Sequence, residues 1–249
     1  MNKNTLIKKF EEISMNAWPA LQTMLYDGWV LRFANGYTRR ANSVNPVCAS
    51  TIDLSTKISY CEKVYAKKGL RTIFKMTEDA CPPDLDLVLK DKGYAREAET
   101  SVQVLMLDLV NPTADGRVEI SERVDDSWLD AFFRMSGADV RYRDTLSSIL
   151  EKGLLDRCFA RICSGGSIVA CGAGVREEKT VGLFDIIVED RFRGRGLGRV
   201  ITEGILAWAR NAGTERSYLQ VMVDNSIALA LYHKLGFREI YRYWYRVSP

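Results

Sequence analysis

The sequence has a single histidine, His233, and none of its six cysteines forms a Cys-x-x-Cys pair. Zinc sites are built mostly from cysteine and histidine ligands at short, regular spacings. We therefore expect no metal. A histidine-based catalytic triad would have to use this one imidazole. His233 follows Tyr232 on a predicted helix, so its side chain points about 100° away from that of Tyr232, and we interpret it as a surface residue.

Long apolar runs are also lacking. None approaches the roughly 18 residues that a transmembrane helix needs, and the N-terminus shows no signal-like apolar core. With no cysteine framework either, these features predict a cytoplasmic protein with reduced thiols and no membrane partner. The net charge of +3 is too small to indicate a nucleic-acid partner. Hydrophobic residues make up 47% of the chain, which is enough for a packed core.

A break near Pro112 and Gly116 divides the chain. Helix-like and strand-like segments alternate on both sides of this break, and a new strand-like run begins near Val118. The sequence therefore predicts two domains, residues 1–110 and 117–249, each near the usual domain size.

The second domain has the clearer pattern. "CFARIC", "GG" and "SIVACGAGV" predict a hairpin. "TVGLFDIIV" is apolar on both faces apart from Asp185, which is typical of a strand at the centre of a sheet. The helix that follows carries Leu197, Ile201 and Ile205 on one stripe. "DNSIALALYHKLG" predicts another helix, which begins after Asn225 and stops at Gly236.

The first domain resembles the second in its ending. Residues 10–28 begin as a helix, and "WVLRFANGYTRRANSV" predicts a hairpin that turns at Asn35-Gly36. Further on, "LVLKDKGYAREAETSVQVLML" can be laid on "LALYHKLGFREIYRYWYRV", with Gly93-Tyr94 against Gly236-Phe237. The order of elements then matches, so the sequence predicts a tandem of related domains of which the first is degenerate.

One glycine- and arginine-rich segment, "RFRGRGLGRV", lies between the central strand and a helix. It could be a phosphate cradle, a nucleic-acid-binding cluster or only a basic loop. A helix N-terminus offers free N–H groups and a partial positive charge, and glycines let an anion approach the backbone. Phe192 is the one aromatic residue among the arginines of this segment, which is too few to stack successive bases. The spacing fits neither the Walker A nor the dinucleotide pattern. We therefore favour a diphosphate site.

Two motifs now resemble a known family, the GCN5-related N-acetyltransferases. Its first signature, Arg/Gln-x-x-Gly-x-Gly/Ala, is met by Arg193, Gly196 and Gly198. Its second, Asn-x-x-Ala-x-x-x-Tyr-x-x-x-Gly-Phe, is met downstream by Asn225, Ala228, Tyr232, Gly236 and Phe237. The resemblance covers roughly residues 117–249. Residues 1–110 lack the first signature, so we expect no second cofactor there.

The resemblance implies a mixed α/β fold, with a central, mostly antiparallel, twisted sheet flanked by helices and preceded by a smaller related α/β domain. It also implies that the donor is acetyl-CoA. The pantetheine arm would pair with the backbone of the strand segment Ile186, Ile187 and Val188, and Asn225 would contact it. The diphosphate would lie on the N–H groups of Arg193, Gly194, Arg195, Gly196, Leu197, Gly198 and Arg199.

The resemblance further places Tyr232 near the thioester sulfur. A phenol is protonated at neutral pH and can give a proton to the departing thiolate or hydrogen-bond it. Tyr232 could instead be a core aromatic. The leading candidate for a general base is Asp185, because a charge inside an apolar strand must be paired or functional. Its alternative is an ion pair with Arg176. Glu189 and Asp139 are further candidates.

The acceptor is not identified by either motif. The candidate contacts for a carboxylate-bearing substrate are Arg39 and Arg40, with Asn42 and Ser43 on the second strand of the hairpin, and Arg141 and Arg143 in "ADVRYRD". Solvated or salt-bridged faces are the alternative. We expect a monomeric or homodimeric enzyme that acetylates the amine of a small molecule such as an amino acid. A protein or peptide N-acetyltransferase and a non-catalytic CoA-binding module remain alternatives.

Overall fold

The computed structural model describes residues 2–110, 112 and 115–249. This part of the chain forms two compact units. One extends as far as Ser101 and includes Tyr241–Pro249, and the other is Val102–Ile240. None of the helices in the described ranges combines the length and apolarity that crossing a bilayer requires.

The division differs from the predicted domains at both ends. Residues 102–110 pack with the second unit, where the Leu107 N–H donates to the Glu215 carbonyl at 2.9 Å. Residues 241–249 belong to the first unit, because Tyr243–Val247 pair with Ile73–Thr77 in an antiparallel ladder. Of the predicted linker, residues 111, 113 and 114 lie outside the described part of the chain.

The first unit has a small sheet and three helices. Its strands lie in the order β1-β2-β3-β4-β11. The β1–β2 and β2–β3 pairs are antiparallel, and β3–β4 is parallel. The core includes Trp29, Tyr65 and Phe74. The elements are α1 (Lys3–Ala17), β1 (Gln22–Tyr26), β2 (Trp29–Phe33), β3 (Val44–Pro46), α2 (Leu54–Ala66), β4 (Ile73–Thr77), α3 (Leu85–Asp91) and β5 (Ala95–Met106), with β11 (Arg238–Val247) added from the end of the chain.

The turns of this unit differ from the sequence prediction. A hairpin that the sequence did not predict joins β1 to β2 through Asp27-Gly28, whose φ angles are 43° and 82°. The predicted β2–β3 pairing is present, but Asn35-Gly36 only begins its connection. Asn42 organises this loop, because its Oδ1 accepts from the N–H groups of Ala34 and Gly36 at 2.8 and 2.9 Å.

The second unit contains a larger mixed sheet in the order β5-β10-β9-β8-β7-β6. The pairs β6–β7, β7–β8 and β8–β9 are antiparallel and β9–β10 is parallel, which confirms the predicted fold class. Its elements are β6 (Val118–Ser121), α4 (Asp126–Ser136), α5 (Arg143–Glu151), β7 (Asp156–Ser164), β8 (Ser167–Glu177), β9 (Thr180–Val188), α6 (Leu197–Asn211), β10 (Arg216–Met222) and α7 (Ser226–Leu235).

The two units repeat one order of elements. The order occurs once as β1-β2-β3-α2-β4-α3-β5 and once as β7-β8-β9-α6-β10-α7-β11. In each series the first two strand pairings are antiparallel and the third is parallel. The last strand of each series pairs outside its own series. β5 lies beside β10 in the second unit, and β11 pairs with β4 in the first. The predicted tandem arrangement therefore includes an exchange of final strands.

Helix α6 packs closely on β8 because two strand positions lack side chains. A Cβ on Gly172 would lie 3.0 Å from Ile201 Cγ2, and one on Gly174 would lie 2.5 Å from Ile205 Cγ2. Real Cβ atoms do not approach that closely, so these glycines let the apolar stripe of α6 reach the sheet. The predicted stripe residues Ile201 and Ile205 are fully buried there.

The Asp27-Gly28 turn gives a stability prediction. Gly28 and Gly69 both have positive φ angles, but a Cβ on Gly28 would overlap the Ala49 carbonyl oxygen whereas Gly69 faces open space. We expect Gly69→Ala to lower the free energy of unfolding by about 1 kcal/mol through φ alone. Gly28→Ala should lower it by roughly 3 kcal/mol because the backbone must also shift. Urea denaturation measures both, and equal losses would contradict this account.

Candidate functional site

The candidate site begins at an irregularity in β9. The β8–β9 register shifts between Cys171↔Ile187 and Ala173↔Phe184, so Asp185 and Ile186 stand opposite Gly172 alone. Asp185 has a φ of 51°, which an aspartate tolerates better than most residues. This is a β-bulge, and bulges bend the strand that carries them. The parallel ladder with β10 runs from Thr180↔Arg216 to Leu183↔Leu219, so Ile186–Val188 extend beyond it.

The loop after β9 leads into α6 with its backbone donors available. Gly194 and Gly196 have φ angles of 75° and 78°, which glycine adopts without strain. Arg193 N donates to the Asp190 carbonyl, and Val200 N donates to the Gly196 carbonyl. Within the described residues, the N–H groups between them, 194–199, take no part in the turn or cap bonds of this segment. These are the unused donors of a helix N-terminus.

Neighbouring elements hold this N-terminus in place. A Cβ on Gly198, in the first turn of α6, would be 3.4 Å from Leu231 Cδ2 and 3.8 Å from Val188 Cγ2. The helix therefore starts against both α7 and the end of β9. The backbone of the glycine loop, the extended end of β9 and α7 come together at one place in the second unit.

The arginines of the loop are engaged with the protein. Arg193 donates from Nε to the Val188 carbonyl at 3.2 Å and pairs with Asp190 at 2.8 Å. Arg191 pairs with Glu189, and Arg199 pairs with Glu203 at 3.0 Å. The guanidinium of Arg195 lies over the Phe192 ring, 5.2 Å from its centroid. All four are surface side chains, so an anion would meet their charges already partly balanced by carboxylates.

The caps of α7 account for most of the second sequence motif. The Asn225 side chain accepts from the Ala228 N–H at 3.1 Å, which is the standard N-cap bond. At the other end Gly236, with a φ of 99°, donates to the His233 carbonyl, and Phe237 N donates to the Tyr232 carbonyl at 3.0 Å. This pair of bonds is a Schellman motif. The motif therefore describes a capped helix.

Tyr232 is fixed by that C-terminal cap. Its ring meets the ring of Phe237 edge-on, with centroids 5.7 Å apart. It also packs against the core of the second unit. Burial raises the pKa of Tyr232 to about 12, so the phenol remains protonated throughout the physiological range. The side chain is both a core aromatic and a potential proton donor, so the two sequence interpretations are compatible.

Asp185 lies among charged and buried groups on the β9 bulge. Burial raises the pKa of the neighbouring Cys171 thiol well above its ordinary value, and the negative charge of Asp185 raises it further. The positive charge of Arg134 acts in the opposite direction on that thiol. Arg176, the partner of Asp185 in the alternative interpretation, pairs with Asp156 across β7 and β8.

The other two base candidates have ion-pair partners. Glu189 accepts from Arg134 Nη1 at 2.9 Å, and this bond, with the charge of Arg191, lowers the pKa of Glu189. A carboxylate with a lowered pKa is a weaker base. Asp139 accepts from the Arg141 N–H at 3.0 Å and pairs with its guanidinium at 2.9 Å. Sequence reasoning did not identify Arg134, which also donates to the Ile168 carbonyl at 2.7 Å.

The predicted acceptor arginines occupy separate places. Arg39 and Arg40 lie in a single 3-10 turn of the first unit, not on a strand. Arg39 pairs with Glu97, and Arg40 lies over the Trp18 ring. In the second unit Arg143 bridges Asp126 and Asp130 at 2.7 and 2.8 Å, and these bonds raise its pKa. Arg141 is the more exposed of the two and stacks on Tyr142.

Metal ligands are not grouped in this structure. Among the described residues, no cluster of three or more histidine, cysteine, aspartate or glutamate side chains could hold an ion.

Most of the chain is similar to proteins named as acetyltransferases. A model of the family described as "Probable histone acetyltransferase Rv0428c C-terminal" matches residues 5–246. "Uncharacterized N-acetyltransferase YobR" of Bacillus subtilis is 29% identical over 246 residues, 97% of this chain and 98% of that protein. "Probable histone acetyltransferase Rv0428c" of Mycobacterium tuberculosis is 26% identical over 240 residues, 95% of this chain and 72% of that protein.

A solved structure shares the fold. The GCN5-related N-acetyltransferase from Kribbella flavida superimposes with a TM-score of 0.71 at 14% identity, covering 97% of this chain and 95% of its own. This likeness extends over both units and supports the predicted fold.

Asn225 can be tested for two roles at once. Asn225→Ala removes the cap, and we expect it to lower the free energy of unfolding by about 1 kcal/mol. Asn225→Asp keeps a capping oxygen but replaces the side-chain amide, so stability should stay close to that of the parent. Denaturation and CoA calorimetry on both variants separate the roles. Weaker CoA binding by the aspartate variant at unchanged stability would indicate a ligand contact, and equal loss of stability in both would contradict the capping account.

Proposed function

We propose a small-molecule amine as the acetyl acceptor of this chain, which belongs to the family of the probable histone acetyltransferase Rv0428c C-terminal region, within the GCN5-related N-acetyltransferases. The protein is an acetyl-CoA-dependent N-acetyltransferase. The observation that carries the proposal for the site is the meeting of the α6 N-terminus with the free end of β9. The residue roles below follow from that geometry.

The α6 N-terminus suits a diphosphate. Backbone N–H groups 194–199, which include those of the left-handed Gly194 and Gly196, are consecutive unused donors, and the helix adds a partial positive charge. Such donors cannot be withdrawn by changes in rotamer or protonation. The arginines contribute less, because Arg191, Arg193 and Arg199 are held by carboxylates. We infer that Gly194 to Arg199 bind the diphosphate of CoA mainly through the backbone. The Arg193 N–H, which was also predicted to take part, already donates to the Asp190 carbonyl.

The extended end of β9 suits the pantetheine arm. Beyond Leu183 the ladder to β10 has ended, so an amide-bearing chain can add to the β9 edge as a short strand would. Ile186 to Val188 are the residues in question. One lone pair of the Val188 carbonyl already accepts from Arg193, so that oxygen has a single further bond to offer. Asn225, as an N-cap, contributes at most its amide N–H₂ group.

We assign the proton-donating role to Tyr232. Acetyl-CoA supplies the thioester that the amine attacks, and the carbon–sulfur bond breaks as the amide forms. Thiols ordinarily have a pKa near 8.5, and the pKa of Tyr232 is about 12. Complete transfer of the proton from the phenol to the thiolate would therefore cost roughly 5 kcal/mol. Tyr232 therefore acts chiefly by donating a hydrogen bond to the sulfur as negative charge develops there.

The acceptor amine must lose a proton to become a neutral amide. Asp185 is the candidate that receives it, through a water molecule, because it stands on the bulge at the end of the β9–β10 ladder. Glu189 is less suited, since Arg134 and Arg191 lower its pKa. Asp185 takes up one proton from the amine, and the departing thiolate takes up one proton to become a thiol. The reaction therefore has no net change in protons.

Selection of an acidic acceptor would depend on Arg141. Arg143 forms ion pairs with Asp126 and Asp130, and these pairs join α5 to α4. Arg141 has a single carboxylate partner, Asp139, and both side chains are more than half exposed. Such an exposed pair is worth little and exchanges easily for a substrate carboxylate. Arg141 is thus the proposed contact for a carboxylate-bearing amine.

A protein substrate is the second candidate. The relative from Mycobacterium tuberculosis is named a probable histone acetyltransferase, and it matches 95% of this chain. An exposed loop at Arg141 and Val140, the latter 68% exposed, would be accessible to a peptide as well as to a free amino acid. The two candidates share the donor site and differ only in the acceptor.

Substitution of Tyr232 tests catalysis separately from binding. We expect Tyr232→Phe to lower kcat by about 100-fold while the affinity for acetyl-CoA stays within twofold. Because burial raises the pKa of Tyr232 to about 12, kcat of the parent should not decline up to about pH 10 through loss of this proton. The control is Tyr94→Phe, which removes a buried hydroxyl in the first unit and should leave kcat unchanged. An unaltered kcat in Tyr232→Phe would contradict the role.

An acceptor panel tests the proposed function. Thiol release from acetyl-CoA is measured with acidic, neutral and basic amino acids, polyamines, and peptides with free N-termini or lysines. We expect turnover with a free amino acid, and a roughly tenfold higher KM for carboxylate-bearing acceptors in Arg141→Gln with no change for polyamines, which carry no carboxylate. Arg143→Gln is the control, since its loss should affect stability more than KM. Turnover only with peptides would establish the second candidate instead.

A further inference from the structure

A second cavity lies in the same unit at the other end of α6. It measures about 670 Å³ and is lined by the C-terminal part of α6, the start of β7, the end of β8 and the end of α5. The candidate acetyl-transfer site lies at the N-terminus of α6, so the full length of this helix separates the two. A volume of this size is within the range of small-molecule pockets.

One wall of this cavity carries a buried cation. Arg157, at the start of β7, is only 7% exposed. Its side chain lies directly against Gly153, whose missing Cβ would overlap the guanidinium. Burial lowers the pKa of Arg157 to about 10, so it is still charged at neutral pH. A side chain at position 153 would therefore displace the guanidinium of Arg157 from its present place.

The acidic groups around the cavity are exposed to solvent. Asp156 is paired with Arg176, and Glu151 accepts from the Ser147 hydroxyl at 2.6 Å. Glu122, the third acid, stands next to Arg123 on the exposed rim. Charges in water are screened strongly, whereas a charge within the wall acts through a lower dielectric. Two further arginines line the cavity, but Arg176 is paired with Asp156 and Arg123 is exposed to solvent. The field inside the cavity is therefore set mainly by Arg157.

The rest of the lining is largely apolar. Phe159 and Leu150 are buried, and Leu155 and Trp208 are partly exposed toward the cavity. Aromatic and aliphatic walls with one convergent charge are typical of sites for small amphiphilic ligands. We propose that this cavity binds a small organic carboxylate with an apolar body, its carboxylate on Arg157 and its body against Trp208 and Phe159.

The proposal is tested by ligand-observed NMR on the full chain with 4-fluorobenzoate as the probe. We expect saturable binding to the parent, at least tenfold weaker binding to Arg157→Met and to Gly153→Ala, and unchanged binding to Arg71→Gln, a matched charge loss in the first unit. The neutral amide 4-fluorobenzamide should not compete. Each variant is first shown to melt and to bind acetyl-CoA like the parent, which keeps a folding defect separate from a lost site.

Three results would overturn the proposal. They are no saturable binding in the millimolar range, equal affinity in Arg157→Met and the parent, and displacement of the probe by acetyl-CoA. The last would place the probe in the acetyl-transfer site. Because the readout is probe binding and not acetyl transfer, failure here leaves the proposed acetyl transfer untouched, and loss of acetyl transfer leaves this cavity untouched.

Discussion

The geometry of the proposed acetyl-transfer site depends on one extra residue in β9. By placing Asp185 and Ile186 opposite Gly172, the bulge bends the strand just beyond the last β9–β10 pair. The same Gly172 lets α6 lie close on the sheet. The bulge thus exposes the backbone edge of β9 at the point where the N-terminus of α6 arrives beside Val188. Without it, β9 would continue alongside β10 and no edge would be available.

The second sequence motif has a local physical cause. Asn225, Ala228, Gly236 and Phe237 form the two caps of α7, and together they fix the length and the end of that helix. Tyr232 contributes the carbonyl that accepts from Phe237 and the ring that packs on it. A change in the spacing of these residues would move the phenol along the helix. The motif can therefore be recognised in a sequence because every one of its bonds joins residues five or fewer apart.

Features of that local kind were predictable, and long-range ones were not. The glycine loop, the hairpin at Gly165-Gly166 and the helices of the second unit follow from short patterns. The exchange of β5 and β11 does not, because their hydrogen bonds join distant parts of the chain. The carboxylate partners of Arg39 and Arg143 were equally unpredictable, because the sequence does not indicate whether a carboxylate faces a given loop arginine.

In the proposed reaction the acetyl donor and the acceptor are bound by different kinds of groups. In the proposed complex the donor is held by backbone N–H groups, which are permanent, while three of the nearby arginines are already paired with carboxylates. On the acceptor side the contact rests on Arg141, an exposed side chain in a loop. Backbone donors keep their positions as long as the fold is intact, whereas an exposed loop side chain can be replaced without altering the fold. Substitutions around Arg141 can therefore alter the acceptor without disturbing the donor site.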